Sequence, residues 1–544
     1  MLLAAGKDNF DIVGTINLDN YKDSLEDLYL TIASLRQAEY LPNQRIIISS
    51  TVDYYTQSTH GILLQSLQTI VNAVDISNFF ICFITTNVNI KKEYQYVLDT
   101  FSTDLVPFEI QIAEGKFSKL DGDKQPYRKI NNLQINDIAV LEQEQKDLLF
   151  NSKNFCILPW ISVMIGTDSE VTPCCAYEGD QLGNCSTHSL ESIWNNTTSQ
   201  NLRAQMLEDK TINGCSECIK LENLGKRSLR NSMNVTFSKH IDVIKQGATP
   251  EYNIKYIDSR FNNLCNLSCR SCFHGASSSW HAPSVAMGLI DKSTPVFLKA
   301  GRNTTDLFDQ VVEQIDNLDR IYFAGGEPII INDNWRILDE LDRRGHHDVE
   351  LIYNTNMNQS KLKGRSIFDA WKNFKNISIG ASLDAEGPRG EYLRTGTVWS
   401  KVIEFRKQLI EQRPDIDFYI SCTTSIINAL HVPDFHRSWV DKGLIQPEQF
   451  NIQTLLQPEW MCVNTAPEYL RKQIIEKYQQ HLVWLKPLDS HGRATYGFES
   501  IIEQLNDVVE FDPQLFWKNI LPLDEYYNAN LLHSFPELAN SLRW

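Results

Sequence analysis

The chain has 544 residues, 42% hydrophobic and 10% aromatic, enough for about three or four domains with packed cores. A formal charge of −17 and a pI near 5.2 argue against a chain that coats nucleic acid, because phosphate binding needs clustered Lys and Arg. The opening Met1-Leu-Leu-Ala-Ala-Gly-Lys7 holds an apolar run too short for a signal sequence, and no stretch approaches a membrane span. A cytoplasmic location with no membrane partner is therefore expected, and in that reducing compartment the 12 Cys point to clusters or metals more than to disulfides.

Residues 1–145 alternate β-rich and amphipathic runs. Ile46-Ile-Ile-Ser49, Phe79-Phe-Ile-Cys-Phe-Ile84 and Phe108-Glu-Ile-Gln-Ile112 read as strands, and Gly61 to Val71 reads as a helix. The alternation predicts a small α/β layer with a parallel sheet, serving recognition, docking or structure. Its strands carry no Gly-rich phosphate turn. The polar stretch 114–135, with Asp121-Gly-Asp-Lys-Gln-Pro126, reads as a linker.

Residues 150–235 are rich in Cys and turn formers. The landmarks are Phe155-Cys156-Ile-Leu-Pro159-Trp160, Asp168-Ser169-Glu-Val-Thr-Pro173-Cys174-Cys175 and Cys215-Ser-Glu-Cys218. Four thiolates from a hairpin and a C-x2-C turn suit an iron–sulfur cluster or a tetrahedral zinc. The pattern resembles the twitch or SPASM module that carries an auxiliary cluster in many radical S-adenosylmethionine (SAM) enzymes. The resemblance implies Cys156, Cys174, Cys215 and Cys218 as ligands, with Cys175 as the alternative to Cys174. One position departs from it: Ser169 stands where the family usually has Gly, which puts the tight turn before Cys174 in question.

Residues 250–480 alternate strand-like and helical runs. Asn253-Ile-Lys-Tyr-Ile-Asp258 leads into Leu264-Cys265-Asn-Leu-Ser-Cys269-Arg-Ser-Cys272, and three thiolates leave one iron of a four-iron cluster open. Arg320-Ile-Tyr-Phe-Ala324 then leads into Gly325-Gly326-Glu327-Pro328. The C-x3-C-x2-C spacing and the second motif together resemble the radical SAM enzymes. That resemblance implies a partial (β/α)6 TIM-like barrel, preceded by the twitch/SPASM-like domain and the N-terminal α/β domain. It further implies a SAM-binding [4Fe-4S] cluster at Cys265, Cys269 and Cys272, a second, auxiliary [4Fe-4S] cluster, and S-adenosyl-L-methionine as cofactor. Gly325, Gly326, Glu327 and Pro328 would bind the SAM amino group. Asn356, Ser382, Asp384 and Arg394 would make polar contacts to SAM, since Tyr353-Asn-Thr-Asn356, Ser382-Leu-Asp384 and Tyr392-Leu-Arg394 resemble family segments. Two later strands, at Phe418 and Phe450, would complete six; Cys422 and Cys462 read as core residues.

Residues 481–544 read as helices that pack over the barrel. Trp460 before them, and Trp484 and Trp517 within them, are either channel-lining or core. The whole implies reductive cleavage of SAM and hydrogen abstraction from a substrate, with a peptide or protein preferred to a small molecule, and a flavodoxin or ferredoxin as electron donor. A non-catalytic metal-binding scaffold is the rival from another class.

Overall fold

The computed structural model describes residues 141–223, 228–301, 307–489 and 492–542, and before them the backbone of four strands. The chain divides into two compact units, Met1–Asp147 with Val235–Lys239, and Leu148–Asn234 with His240–Trp544.

In the first unit, β1 (Asp11–Ile16), β2 (Gln44–Ser50), β3 (Phe79–Thr85) and β4 (Phe108–Ile112) form one parallel sheet in chain order. The parallel sheet is the one expected. β1 is not among the expected strands, its Asp-Ile-Val-Gly-Thr-Ile run being broken by a glycine. The helix expected at Gly61 to Val71 and the linker at 114–135 lie outside the described residues.

The second unit begins with β5 (Ser162–Ile165), β6 (Glu170–Thr172) and β7 (Gly183–Asn184), an antiparallel meander. There follow β8 (Tyr256–Ser259), β9 (Ser268–Cys269), β10 (Arg320–Phe323), β11 (Glu350–Thr355), β12 (Lys361–Leu362), β13 (Arg365–Ser366), β14 (Ile377–Ser382), β15 (Arg394–Thr395), β16 (Asp417–Thr424) and β17 (Phe450–Thr454). Nine of these make one sheet in the order β17-β16-β14-β11-β10-β8-β5-β6-β7. The six strands from β8 to β17 are parallel and adjacent in chain order, the α/β alternation expected. The hydrogen bonding leaves β17 and β7 as edges, so the sheet is open. Because β5 pairs with β8 in parallel, the cysteine-rich segment extends the same sheet.

The two faces differ chemically. Phe323, Tyr353, Ile379 and Phe418 stand side by side in register, each at most 1% exposed; Tyr353 stacks on Phe323 and meets Trp371 edge-on, and Phe418 lies under Arg406 of helix Trp399–Gln412. The neighbouring register on the opposite face holds Asp258, Tyr322, Ile352, Ser378 and Asp417. Parallel strands covered on both faces are usually apolar throughout, so a polar register marks the side that serves a site. Cys422 and Cys462 are buried, in keeping with the core role expected of them. Trp517 is also buried and donates its indole N–H to the Leu542 carbonyl, while Trp460 packs edge-on against Phe516. Trp484 packs against His436 and His481. Helix Glu468–Leu485 runs across residue 480, and helices Arg493–Gln504 and Pro513–Tyr527 follow it.

The His436 and His481 rings are buried between Phe450 and Phe498. His436 Nε2 lies 2.9 Å from the Pro447 carbonyl, which can only accept, so Nε2 carries the proton and Nδ1 accepts from His481 Nε2 at 3.0 Å. Burial, helped for His481 by His436 and Arg437, pushes both pKa values down to about 3, and burial holds His431 near 4. The folded state therefore refuses protons that the unfolded chain takes up below about pH 6.5. Stability is fully present above that pH and is lost as pH falls, by on the order of 1–2 kcal/mol per histidine at pH 5. Urea unfolding of the apoprotein should show a lower midpoint at pH 5 than at pH 7; equal midpoints would contradict this.

Candidate metal centres

The first centre is built where the cysteine-rich segment folds back on itself. Cys156, Cys174, Cys215 and Cys218 all line one pocket of about 380 Å³, open on one side to solvent, together with Leu158, Pro159, Pro173, Tyr177, Met206 and Arg230. Cys156 precedes the turn Leu158–Trp160, Cys174 follows β6, and Cys215 and Cys218 sit at the start of helix Ser216–Asn223. Arg230 fixes the entry to Cys156: it pairs with Glu222 and donates to the Ser152 and Phe155 carbonyls at 2.9 and 2.8 Å. Asn234 Oδ1 accepts the Ile157 N–H at 2.9 Å. Burial, then charge on Cys215 and Cys218, pushes the Cys156 thiol up to about 12, and burial with Cys218 takes Cys215 to about 11. Such thiols stay protonated until a metal displaces the protons.

Ser169 resolves the doubt about the turn. It adopts φ +73°, the left-handed conformation that a glycine would take, at a cost of about 1 kcal/mol. Its Oγ accepts the Gly301 N–H at 3.1 Å and its carbonyl accepts the Cys185 N–H at 2.8 Å. The serine makes the turn itself and adds a tie that glycine lacks. Cys175 does not line the pocket and lies beside the Asp258 carboxylate. We therefore expect Cys174→Ala to lose the iron of this centre and Cys175→Ala to keep it, as measured by iron content after anaerobic reconstitution.

The second centre lies beyond the end of β8. The loop carrying Cys265, Cys269 and Cys272 is pinned by β9 pairing with β15, which sets Cys269 opposite Arg394, and by the Trp280 indole, which donates to the Cys269 carbonyl at 2.9 Å. Cys269 lies close enough to Cys265 and to Cys272 to influence each. Burial first, then charge on Cys269, pushes Cys265 and Cys272 up to about 12. Arg394 Nη1 donates to Cys269 Sγ at 3.7 Å and pairs through Nε with Asp384 at 2.8 Å. Asp384 also accepts the Thr423 N–H at 2.9 Å, so it ties the ends of β14 and β16 together.

Gly325 and Gly326 have φ +73° and +48° and lie against this loop. A Cβ on Gly326 would stand 2.1 Å from the Leu264 carbonyl oxygen, and one on Gly325 2.7 Å from Arg260 Cβ. The next residue's N–H, that of Glu327, donates to the same Leu264 carbonyl at 2.8 Å. The Glu327 carboxylate is buried; it accepts from the Thr355 hydroxyl at 2.7 Å, the Asn356 N–H at 2.8 Å and the Ile329 N–H at 3.2 Å. Burial raises it to about 7 against the pull of those donors. Asn356 Nδ2 donates to Asn266 Oδ1 at 2.8 Å, closing the circuit back to the cysteine loop, and Pro328 opens the turn Pro328–Ile330. Ser382 ends β14, in register with Ser421.

Between this loop and the strand ends lies a polar cavity of about 230 Å³, lined by Arg270, Ser271, Asp384, Leu393, Thr423, Ser425, Asn428, Leu455 and Met461. Among the described residues the buried Asn266 Nδ2 has no hydrogen-bond partner, a donor left over beside Cys265. The close glycine backbone and the polar strand ends suit a polar small-molecule ligand beside the cysteine loop. Among the described residues no group of three or more His, Cys, Asp or Glu side chains is arranged to hold a metal ion. Arg270, Thr423 and Asn428 are not among the residues expected at the site; the signal for them is position alone, inside the cysteine loop or at or after the end of a strand.

Next to Cys174, Cys175 lies beside Asp258, and Asp258 pairs with Arg260 at 3.2 Å, the residue for which Gly325 leaves room.

Residues 156–219 match the family described as "SPASM: Iron-sulfur cluster-binding domain". A search of curated proteins returned no match. Among solved structures, the chain is similar to "Native anSMEcpe with bound AdoMet and Cp18Cys peptide" at 15% identity and a TM-score of 0.29, over 42% of this chain and 59% of that one. It is likewise similar to "Native anSMEcpe with bound AdoMet" at 17% identity and a TM-score of 0.29, over 43% of this chain and 59% of that one. The chain thus spans about three fifths of the length of the structures it matches. No helix among the described residues is long and apolar enough to cross a membrane. The chain therefore carries, over residues 156–219, a SPASM iron–sulfur cluster-binding domain, the module expected from its cysteine pattern.

Proposed function

We propose that the chain is a radical SAM enzyme with two iron–sulfur centres that modifies a peptide or protein side chain. The observation that carries the reading is the pair of separate cysteine groups, one lining its own pocket and the other beside the Gly325-Gly326 backbone and a polar cavity. A [4Fe-4S] cluster with one open iron, held by Cys265, Cys269 and Cys272, would supply the electron for reductive cleavage of SAM and so for hydrogen abstraction from the substrate.

The chain's own groups would hold and orient. Gly325 and Gly326 let backbone approach the cofactor, Glu327 locks that backbone to Thr355 and Asn356, and Asp384 with Arg394 fixes the loop around Cys269. Asn356 and Ser382 stand at strand ends beside them. Cys156, Cys174, Cys215 and Cys218 would hold the auxiliary cluster. In this reading residues 1–145 dock the large substrate, 150–235 carry the auxiliary cluster, 250–480 the radical chemistry and 481–544 the helical cover. A flavodoxin or ferredoxin in the cytoplasm would supply electrons.

The test is anaerobic purification with iron and sulfide quantified, then dithionite reduction and an assay for 5′-deoxyadenosine. About eight irons per chain with deoxyadenosine formed supports the reading. Zinc, or iron without SAM cleavage, would return the chain to the scaffold class.

A further inference from the structure

Arg270 stands inside the cysteine loop, one residue after Cys269 and two before Cys272, and is 3% exposed. A guanidinium so buried needs a fixed partner, and its partner comes from the far end of the chain. Arg270 Nη2 lies 2.7 Å from Asp524 Oδ1 on helix Pro513–Tyr527, and Asp524 is itself buried. Tyr392 completes the arrangement. Its hydroxyl donates to the same Asp524 oxygen at 2.9 Å, its ring lies 3.7 Å from the Arg270 guanidinium carbon, and its carbonyl accepts Arg270 Nε at 3.0 Å. The Arg270 N–H donates to the Leu393 carbonyl at 2.8 Å, so backbone and side chain are both held. On the other side, Asp524 Oδ2 accepts the Leu531 N–H at 2.8 Å, and Arg389 forms a two-pronged pair with Glu537 at 2.7 and 3.1 Å.

We propose that Asp524 and Arg270 are a positioning pair through which the C-terminal helical segment sets the conformation of the cysteine loop, and so the environment of the cluster held there. The inference rests on the reading that Cys265, Cys269 and Cys272 hold the open cluster. A guanidinium fixed between two ligand residues places positive charge beside the cluster, and Arg270 also borders the polar cavity. A helix that merely covered the sheet would need apolar contact there. Instead it spends a buried carboxylate on the ligand loop.

The experiment uses full-length protein with both centres reconstituted, and reads the reduced-cluster EPR spectrum with and without SAM, the deoxyadenosine rate and the iron content. Asp524→Asn should keep its iron and the auxiliary signal, but shift the signal of the open cluster and slow deoxyadenosine formation about tenfold, the scale of lost outer-shell partners. Asp524→Glu, which restores the charge, should recover part of the rate. Arg270→Lys keeps the charge but loses the Nε hydrogen bond to the Tyr392 carbonyl, and should reproduce the spectral shift if Asp524→Asn does not fold. Wild-type spectra and rates in Asp524→Asn and Arg270→Lys would overturn the inference while leaving the cluster reading intact. A wild-type protein whose signal ignores SAM would overturn the cluster reading, and the inference with it.

Discussion

Cys269→Ala is expected to reduce deoxyadenosine formation to background and to lower the iron content from about eight to about four per chain, with the chain still folded. The thiol is buried beside Arg394, and a cluster that has lost one of only three protein ligands cannot keep its place. The fold survives because what holds this segment is backbone. The Trp280 indole bonds the Cys269 carbonyl, β9 pairs with β15, and the Arg270 N–H bonds the Leu393 carbonyl; none of these uses sulfur. Removing one buried sulfur costs about 1–2 kcal/mol by transfer and cavity terms, within reach of a domain's margin. Iron analysis, the deoxyadenosine assay and a thermal melt check the three parts separately. Retained SAM cleavage would remove Cys269 from the centre.

Gly326→Ala is expected to do comparable damage by a different route. The added Cβ meets the Leu264 carbonyl oxygen at 2.1 Å and its carbon at 2.8 Å, both backbone atoms that cannot swing aside, and the position has φ +48°. Left-handed strain alone costs about 1–2 kcal/mol, and forcing the loops apart brings the total to about 3 kcal/mol or more. Loop separation breaks the Glu327 N–H to Leu264 carbonyl bond and moves Cys265, the adjacent residue. The open centre should therefore lose iron and activity, while the pocket at Cys156 keeps its own. Gly345→Ala is the control. Gly345 has φ +75° at the end of helix Asn332–Arg344 but open space around its Cβ, so it should cost only the strain and leave activity unchanged. Equal iron and equal rates in the two variants would show that the contact with Leu264 does not matter.

The parts legible in the residues were those whose chemistry is local. Three ligands within one loop and a Gly-Gly turn after a strand are short-range patterns, and so is a C-x2-C at a helix start; a short segment must carry them wherever it sits. The strands at Tyr256, Arg320, Glu350, Ile377, Asp417 and Phe450 were readable because each is a compact β-rich run between helical segments. Ser169 shows the limit of such patterns. A residue type at odds with the family turn still makes that turn, because Gly301 donates to its hydroxyl from a distant loop.

By itself, then, the sequence determined that there are two thiol-rich segments, which residues supply the thiols, and that a parallel α/β array carries one of them. Only the tertiary structure decided that β5 joins β8 and puts both segments on one sheet. It also decided that Cys174 and not Cys175 lines the pocket, that Glu327 clasps Thr355 and Asn356, and that Asp524 reaches Arg270. The physical reason is range. Ligand spacing and strand periodicity are set by neighbours along the chain, whereas strand pairing, side-chain direction and the partner of a buried charge depend on which distant segments the fold brings into contact.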